Sequence, residues 1–127
     1  MTASPRCRVD RLRLFNVRNY ADEEVVLGPA LNLLVGANAQ GKTNLLEAVA
    51  TVALTRSPRA AAAADMIAWG AQECRIDAAV HTATGPTNID LRLRRGESAA
   101  AAVRTVRIDG TPRGARAVLG LCPIVLF

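Results

Sequence analysis

Residues 31–43 read L-N-L-L-V-G-A-N-A-Q-G-K-T, and the change of texture within that stretch decides the fold. Leu31, Leu33, Leu34 and Val35 form a nearly continuous apolar run, the make-up of a strand buried on both faces of a sheet. The eight residues that follow, Gly36, Ala37, Asn38, Ala39, Gln40, Gly41, Lys42 and Thr43, fit the pattern G-x-x-x-x-G-K-[ST]. Beyond them Leu45, Val49, Val52 and Ala53 recur at the spacing of one helix face. A strand, a glycine loop and a helix in this order make a phosphate cradle. The glycines let the backbone turn sharply and bring its N–H groups to the β- and γ-phosphates. The helix that follows points the positive end of its dipole at the same anion. Lys42 supplies a compact point charge, a task for which a planar guanidinium is badly shaped. The Thr43 hydroxyl is placed to hold Mg²⁺.

Working outward, the 127 residues suit one domain, and a 50% hydrophobic content is enough for a core. Lys and Arg together number 16 against 11 Asp and Glu, a formal net charge of +5. That surplus fits a phosphate-rich partner but is diffuse. Lys42 is the only lysine; every other basic residue is Arg, and alanine is also heavily used. A bias toward Arg and Ala codons explains both, so the arginines carry less weight and the lone lysine more. The opening residues lack the apolar core of a signal peptide. The late apolar run, residues 118–127, is broken by Gly120 and Pro123 and is too short to span a membrane, so no membrane partner is expected. Cys7, Cys74 and Cys122 are odd in number and far apart, which suggests neither a disulfide framework nor a zinc site. A reduced, cytoplasmic compartment is the simplest setting. His81, the only histidine, has no neighbour with which to form a metal site or a catalytic triad.

On either side of the loop the rhythm is that of strands. Leu12 and Leu14 alternate with arginines, residues 16–22 are polar and turn-like, and residues 25–27 form a short apolar run. After the helix, Ile76, Ala78 and Val80, then Ile89, Leu91 and Leu93, then Val106 and Ile108 alternate with polar residues. Gly85-Pro86, Gly96 and Asp109-Gly110 punctuate these runs, which predicts an antiparallel sheet with one wet face. A short helix is expected over residues 113–119 and a further buried strand over 123–127. The alanine tracts at 60–64 and 99–102 read as padding. The fold class is therefore α/β, a P-loop NTPase with an antiparallel β subdomain, and residues 1–127 form one unit.

Several pieces are more particular than the loop alone. R-L-R-L-F-N-V-R-N-Y at 11–20, G-A-N-A-Q-G-K-T-N-L-L-E-A-V at 36–49, T-R-S-P-R at 55–59, A-D-M-I-A-W-G at 64–70 and V-R-I-D-G at 106–110 together resemble the RecF family. Their order and spacing agree over essentially the whole chain. The resemblance implies the amino-terminal part of an SMC-like, ABC-ATPase-like head lobe, which is an incomplete domain. It implies an ATP-dependent DNA-binding protein of replication, recombinational repair and the SOS response, acting on single-stranded DNA and gap junctions. It also implies an ATP-dependent homodimer, cooperation with other recombination mediator proteins, and weak DNA-dependent ATPase activity in the full-length family. Arg18 and Asn19 match the slot that lies near the base and ribose in related heads; equally, they simply close a turn. Glu47 is expected to make a surface ion pair rather than to catalyse. Arg56 and Arg59 are candidates for DNA contact or belong to a solvated turn, and Pro58 departs from the family's usual His.

What the sequence lacks also bears on its chemistry. Hydrolysis needs an apolar strand ending in acids to position Mg²⁺ and the attacking water. Asp65, Asp77, Asp90 and Asp109 all lie in polar, alternating or alanine-rich surroundings. The family's signature motif is not found, and the chain stops at I-V-L-F within an apparent strand. The expectation is the front part of a longer protein, which on its own binds nucleotide weakly, lacks ATPase activity and self-associates. The alternative is a small P-loop kinase or other nucleotide-dependent transferase, which the antiparallel strands fit poorly.

Overall fold

The computed structural model describes residues 7–28, 39–98 and 101–118. Alternation becomes architecture in the second half of the chain. β3 (Glu73–Thr82) buries Cys74, Ile76, Ala78, Val80 and Thr82 and turns the residues between them outward. It pairs antiparallel with β4 (Gly85–Arg95), which pairs in turn with β5 (Ala102–Ile108), and β5 with the short β6 (Thr111–Arg113). On the other side of β3 lies β1 (Arg8–Val17), and beyond it β2 (Tyr20–Val26). The six strands form one antiparallel sheet in the order β2-β1-β3-β4-β5-β6. The expected buried strand over 31–35 and the one over 123–127 lie outside the described residues.

One face of this sheet is dry. Leu12 and Leu14 of β1, Ile76 and Val80 of β3, Ile89, Leu91 and Leu93 of β4 and Val106 of β5 form a cluster with Leu45, Ala48, Val52 and Ala53 of helix α1 (Ala39–Leu54). Met66 and Ile67, at the end of a 3-10 turn (Ala63–Met66), complete it together with Val118 of α2 (Ala115–Val118). The other face is wet and charged, as the alternation predicts. Register places Arg13 beside Asp77, Asp77 beside Asp90 and Asp90 beside Arg107. Adjacent like charges would repel, but Arg75 and Arg92 reach Asp90 at 3.1 and 3.3 Å and separate them.

Three local expectations change. The polar stretch 16–22 is mostly strand: β1 and β2 meet in a two-residue turn at Arg18 and Asn19. The acids of β2 pair diagonally with arginines of β1, Asp22 with Arg13 and Glu24 with Arg11, so polarity there marks an edge strand rather than a loop. Arg113 ends β6 instead of starting a helix. Cys7 is disulfide-bonded, although separation along the sequence suggested no disulfide; sequence separation does not limit distance in the fold.

The helix is fixed at its far end. Thr55 takes φ 63, and Arg104 of β5 donates from Nη1 to the Thr55 carbonyl at 2.8 Å. A guanidinium on the last carbonyls answers both their unmet hydrogen bonds and the negative end of the dipole.

Cys74 is a free thiol on the dry face, 2% exposed, and burial pushes its pKa up to about 11. Only the thiolate attacks alkylating reagents. Cys74 should therefore stay unmodified by iodoacetamide at pH 8 in native buffer and react once urea opens the sheet, as mass spectrometry of the peptide would show. Rapid native labelling would mean that the inner face of β3 is not closed.

Candidate nucleotide site

The turn between β1 and β2 decides what meets the phosphate-loop helix. Asn16 adopts φ 51, which shifts the alternation by one so that Val17 rather than Asn16 is buried. Arg18 follows at φ 54, a left-handed conformation that costs a non-glycine residue about 1–2 kcal/mol. Two sets of contacts hold it there. Its backbone N–H donates to the Met66 carbonyl at 2.9 Å. Its guanidinium forks onto Glu47, Nε to Oε1 and Nη2 to Oε2, both at 3.0 Å. A two-pronged guanidinium–carboxylate pair is the strongest geometry such a pair can take.

Glu47 corrects the expectation of a surface ion pair. Its side chain is fully buried, and beside Arg18 it accepts from Ser57 Oγ and from Arg59 Nη1 at 3.5 Å. Burial pushes its carboxyl upward. Hydrogen bonds from Arg18 and Ser57, with the charges of Arg18 and Arg59, outweigh that and hold it below the ordinary carboxylate value. The Arg18 guanidinium is correspondingly raised, mainly by its bond to Glu47, with burial opposing. One signal was present in the sequence: Glu47 is the only charged residue between Asn44 and Leu54. A helical stretch so nearly free of charge is buried, and the one charge within it must find a partner.

The same junction gathers other side chains. Asn44, 2% exposed, donates from Nδ2 to Asn19 Oδ1 at 2.7 Å and accepts from Arg59 Nη1 at 2.9 Å. Tyr20 donates its hydroxyl to the Gly41 carbonyl at 2.6 Å, tying β2 to the loop helix. Ser57 Oγ also accepts the backbone N–H groups of Arg59 and Ala60, which shapes the turn after the helix. The segments F-N-V-R-N-Y, G-K-T-N-L-L-E and T-R-S-P-R, scattered in sequence, thus converge on one cluster.

Of the predicted phosphate residues, Gly36, Ala37 and Asn38 lie outside the described residues. Ala39 and Gln40 open α1, with Gly41 buried, Lys42 half-buried and Thr43 exposed in its first turns. Arg18 and Asn19 do meet this helix. Arg59 is engaged with Glu47 and Asn44, whereas Arg56 is exposed. Asn44, Ser57 and the buried role of Glu47 escaped the sequence reading because their partners are distant along the chain. The acids have structural work: Asp65 Oδ2 accepts the Ala62 N–H at 3.0 Å, and Asp109 Oδ1 accepts the Asn88 N–H at 2.8 Å. Between Arg18, Asn19, Asn44, Asp65 and Trp69 opens a pocket of ≈ 630 Å³.

Removing one partner of a buried pair strands the other charge, so Glu47→Gln should lower stability by about 3–5 kcal/mol. The sign with pH follows from the depressed carboxyl. Its contribution is present above the unfolded-state value and is lost as the pH falls through the lower folded-state value. Urea titrations across the acid range should show that the difference between Glu47 and Glu47→Gln proteins is widest near neutrality and shrinks below the ordinary carboxylate value. A constant difference at every pH would contradict the charged, buried assignment.

Comparison with known proteins agrees with this arrangement. The AAA domain family matches residues 11–114. The chain is 37% identical over 131 aligned residues to the DNA replication and repair protein RecF of Chloroflexus aggregans, covering 94% of this chain and 33% of that protein. It is 48% identical over 83 residues to RecF of Pediococcus pentosaceus, covering 63% and 22%. The chain spans about a third or less of the length of these curated relatives. Among solved structures, the recombination mediator protein RecF with ATP, in the RecFOR pathway, superposes with TM-score 0.80 at 22% identity over 91% of this chain and 31% of that one. The SMC head domain from Thermotoga maritima superposes with TM-score 0.66 at 16% identity over 87% of this chain and 40% of that one. These likenesses show that the fold is that of RecF and of the SMC head domain. The chain belongs to the AAA domain family.

Proposed function

We propose that this chain is the nucleotide-binding lobe of a RecF-like protein of DNA replication and repair, in which ATP governs attachment to single-stranded and gapped DNA. The observation that carries the reading is the joint between hairpin and loop helix. In this reading Arg18 and Asn19 lie beside the nucleotide; Glu47, Asn44 and Gly41 hold that hairpin against the helix whose first turns carry Lys42 and Thr43. ATP held by Gly36 to Thr43 would then touch both layers of the fold, so its arrival couples the helix to the sheet.

In this reading the ammonium of Lys42 neutralises the β- and γ-phosphates, and backbone N–H groups of the loop and first turn share the remaining charge. The Thr43 hydroxyl, on the exposed first turns of α1, is a hard oxygen donor of the kind a hard cation takes. Mg²⁺ bound there would spread the phosphate charge. The net charge of +5 favours a polyanion. The same reading includes an ATP-dependent homodimer, contact with other recombination mediators, a part in the SOS response and a cytoplasmic setting, each carried by the RecF likeness alone. Among the described residues no helix is long and apolar enough to cross a membrane. A small P-loop kinase, the other reading of the loop, accounts for neither the six-stranded antiparallel sheet nor the RecF match.

In the protein expressed from its complete reading frame, Lys42→Ala should weaken ATP binding by about 1.5–3 kcal/mol, the worth of a hydrogen bond to a charged group. Lys42→Arg should also impair function. Unchanged calorimetric affinity in both would remove the phosphate assignment. DNA should bind more tightly with ATP than without it, with log affinity falling linearly against log salt and little sequence preference. Binding indifferent to both ATP and salt would count against the DNA reading.

A further inference from the structure

A second cavity, of ≈ 520 Å³, lies beyond the carboxyl end of α1. The turn after the helix, the 3-10 turn, the end of β4 and the start of β5 enclose it. It shares no lining residue with the pocket beside the first turns of α1. Its apolar lining is Met66 and Leu93, both buried, with Ala60, Ala63 and Ala102. Ala60 and Ala63 come from the alanine tract that reads as padding in the sequence. Here the small side chains have an effect: larger ones would fill the recess, because protein interiors pack closely wherever they can.

The polar lining is Arg56 and Arg104 with Thr55 and Ser57. Ser57 Oγ is already engaged, donating to Glu47 and accepting the N–H groups of Arg59 and Ala60. Arg104 spends one N–H on the Thr55 carbonyl at 2.8 Å, which fixes the guanidinium and leaves its other donors for a ligand. Arg56 is exposed and has no hydrogen-bond or ion-pair partner among the described residues. No carboxylate and no aromatic ring belongs to the lining among those residues.

Two guanidiniums beside an apolar recess call for an anion joined to an apolar group. A bare phosphate would leave the apolar lining unused. Single-stranded nucleic acid is held by aromatic rings on which its bases stack, and this cavity has none. A polypeptide supplies both parts at once, an aliphatic side chain and a carboxylate on a nearby residue. Arginine forks such a carboxylate, and apolar anchors set in pockets carry much of the energy of protein interfaces.

We infer that this cavity is a docking site for an acidic segment of a partner protein. One aliphatic side chain of that segment seats against Met66 and Leu93, and a neighbouring carboxylate meets Arg56 and Arg104. The inference stands on the cavity alone and does not depend on the nucleotide reading.

The test uses the protein from its complete reading frame and a fluorescein-labelled peptide, Glu-Leu-Glu-Leu-Glu, followed by anisotropy. Gln-Leu-Gln-Leu-Gln removes the charge, and Glu-Ala-Glu-Ala-Glu removes the anchor. Both controls should bind at least about tenfold more weakly. Arg56→Glu, which reverses a charge at the rim, and Ala63→Trp, which plugs the recess, should each weaken the first peptide about tenfold. ATP affinity and melting temperature should stay as they are in the unaltered protein. Should Ala63→Trp melt lower, the exposed Arg56→Glu decides alone. No saturable binding up to about 1 mM peptide overturns the inference, as does equal binding by the variants or by either control. Displacement of the peptide by oligo-dT or by inorganic phosphate assigns the arginines to phosphate groups and overturns it too. Either failure with ATP binding intact leaves the nucleotide reading standing.

Discussion

The Glu47 carboxylate carries a full charge with no access to water, and the geometry around it follows from keeping that charge satisfied. Arg18 answers it from a backbone conformation that few arginines adopt, Ser57 from the turn after the helix, and Arg59 from just beyond. These partners arrive on two further pieces of chain, the hairpin and the segment after the helix. The hairpin, the helix and the post-helix segment are therefore mutually positioned by one side chain. A hydrophobic contact at the same place would have allowed sliding and rotation; a forked ion pair in a dry setting permits little of either.

Around that joint the sheet has two characters. Its inner face is apolar and packs α1. Its outer face is a lattice of arginines and aspartates whose cross-strand order would repel if read row by row, and which is relieved by diagonal pairs such as Arg75 with Asp90. Arg13 and Arg75 both stand over the Phe15 ring, with centroid distances of 4.7 and 5.7 Å, so the aromatic belongs to the charged face rather than to the core.

Much of the fold was legible because one face of the sheet is wet. Ile76, Ala78 and Val80 alternate for that reason, and so do Ile89, Leu91 and Leu93. The β2 strand was not legible as such: at a sheet edge its outward acids answer the arginines of β1, and a run of polar residues looks the same whether it is paired or looping. The pattern of residues 36–43 stands out by spacing alone. The cluster around Glu47 does not, because Arg18 and Glu47 are 29 residues apart and pairing of that kind leaves no local pattern. A helix-face count from Leu45 finds one buried side of α1, yet Gly41, Asn44, Glu47 and Thr51 are buried on another. The sparse charge of the helix was the clue that periodicity could not supply.

The contacts at the two ends of α1 have a mechanical consequence. Near its start the Gly41 carbonyl is held by Tyr20 of β2, and beyond its end the Thr55 carbonyl is held by Arg104 of β5. These strands lie toward opposite edges of the sheet. A shift of the helix along its own axis by even one residue, about 1.5 Å, would strain both ties in the same stroke. The helix is therefore tied to the sheet at both of its ends, to strands on opposite sides of the sheet's middle.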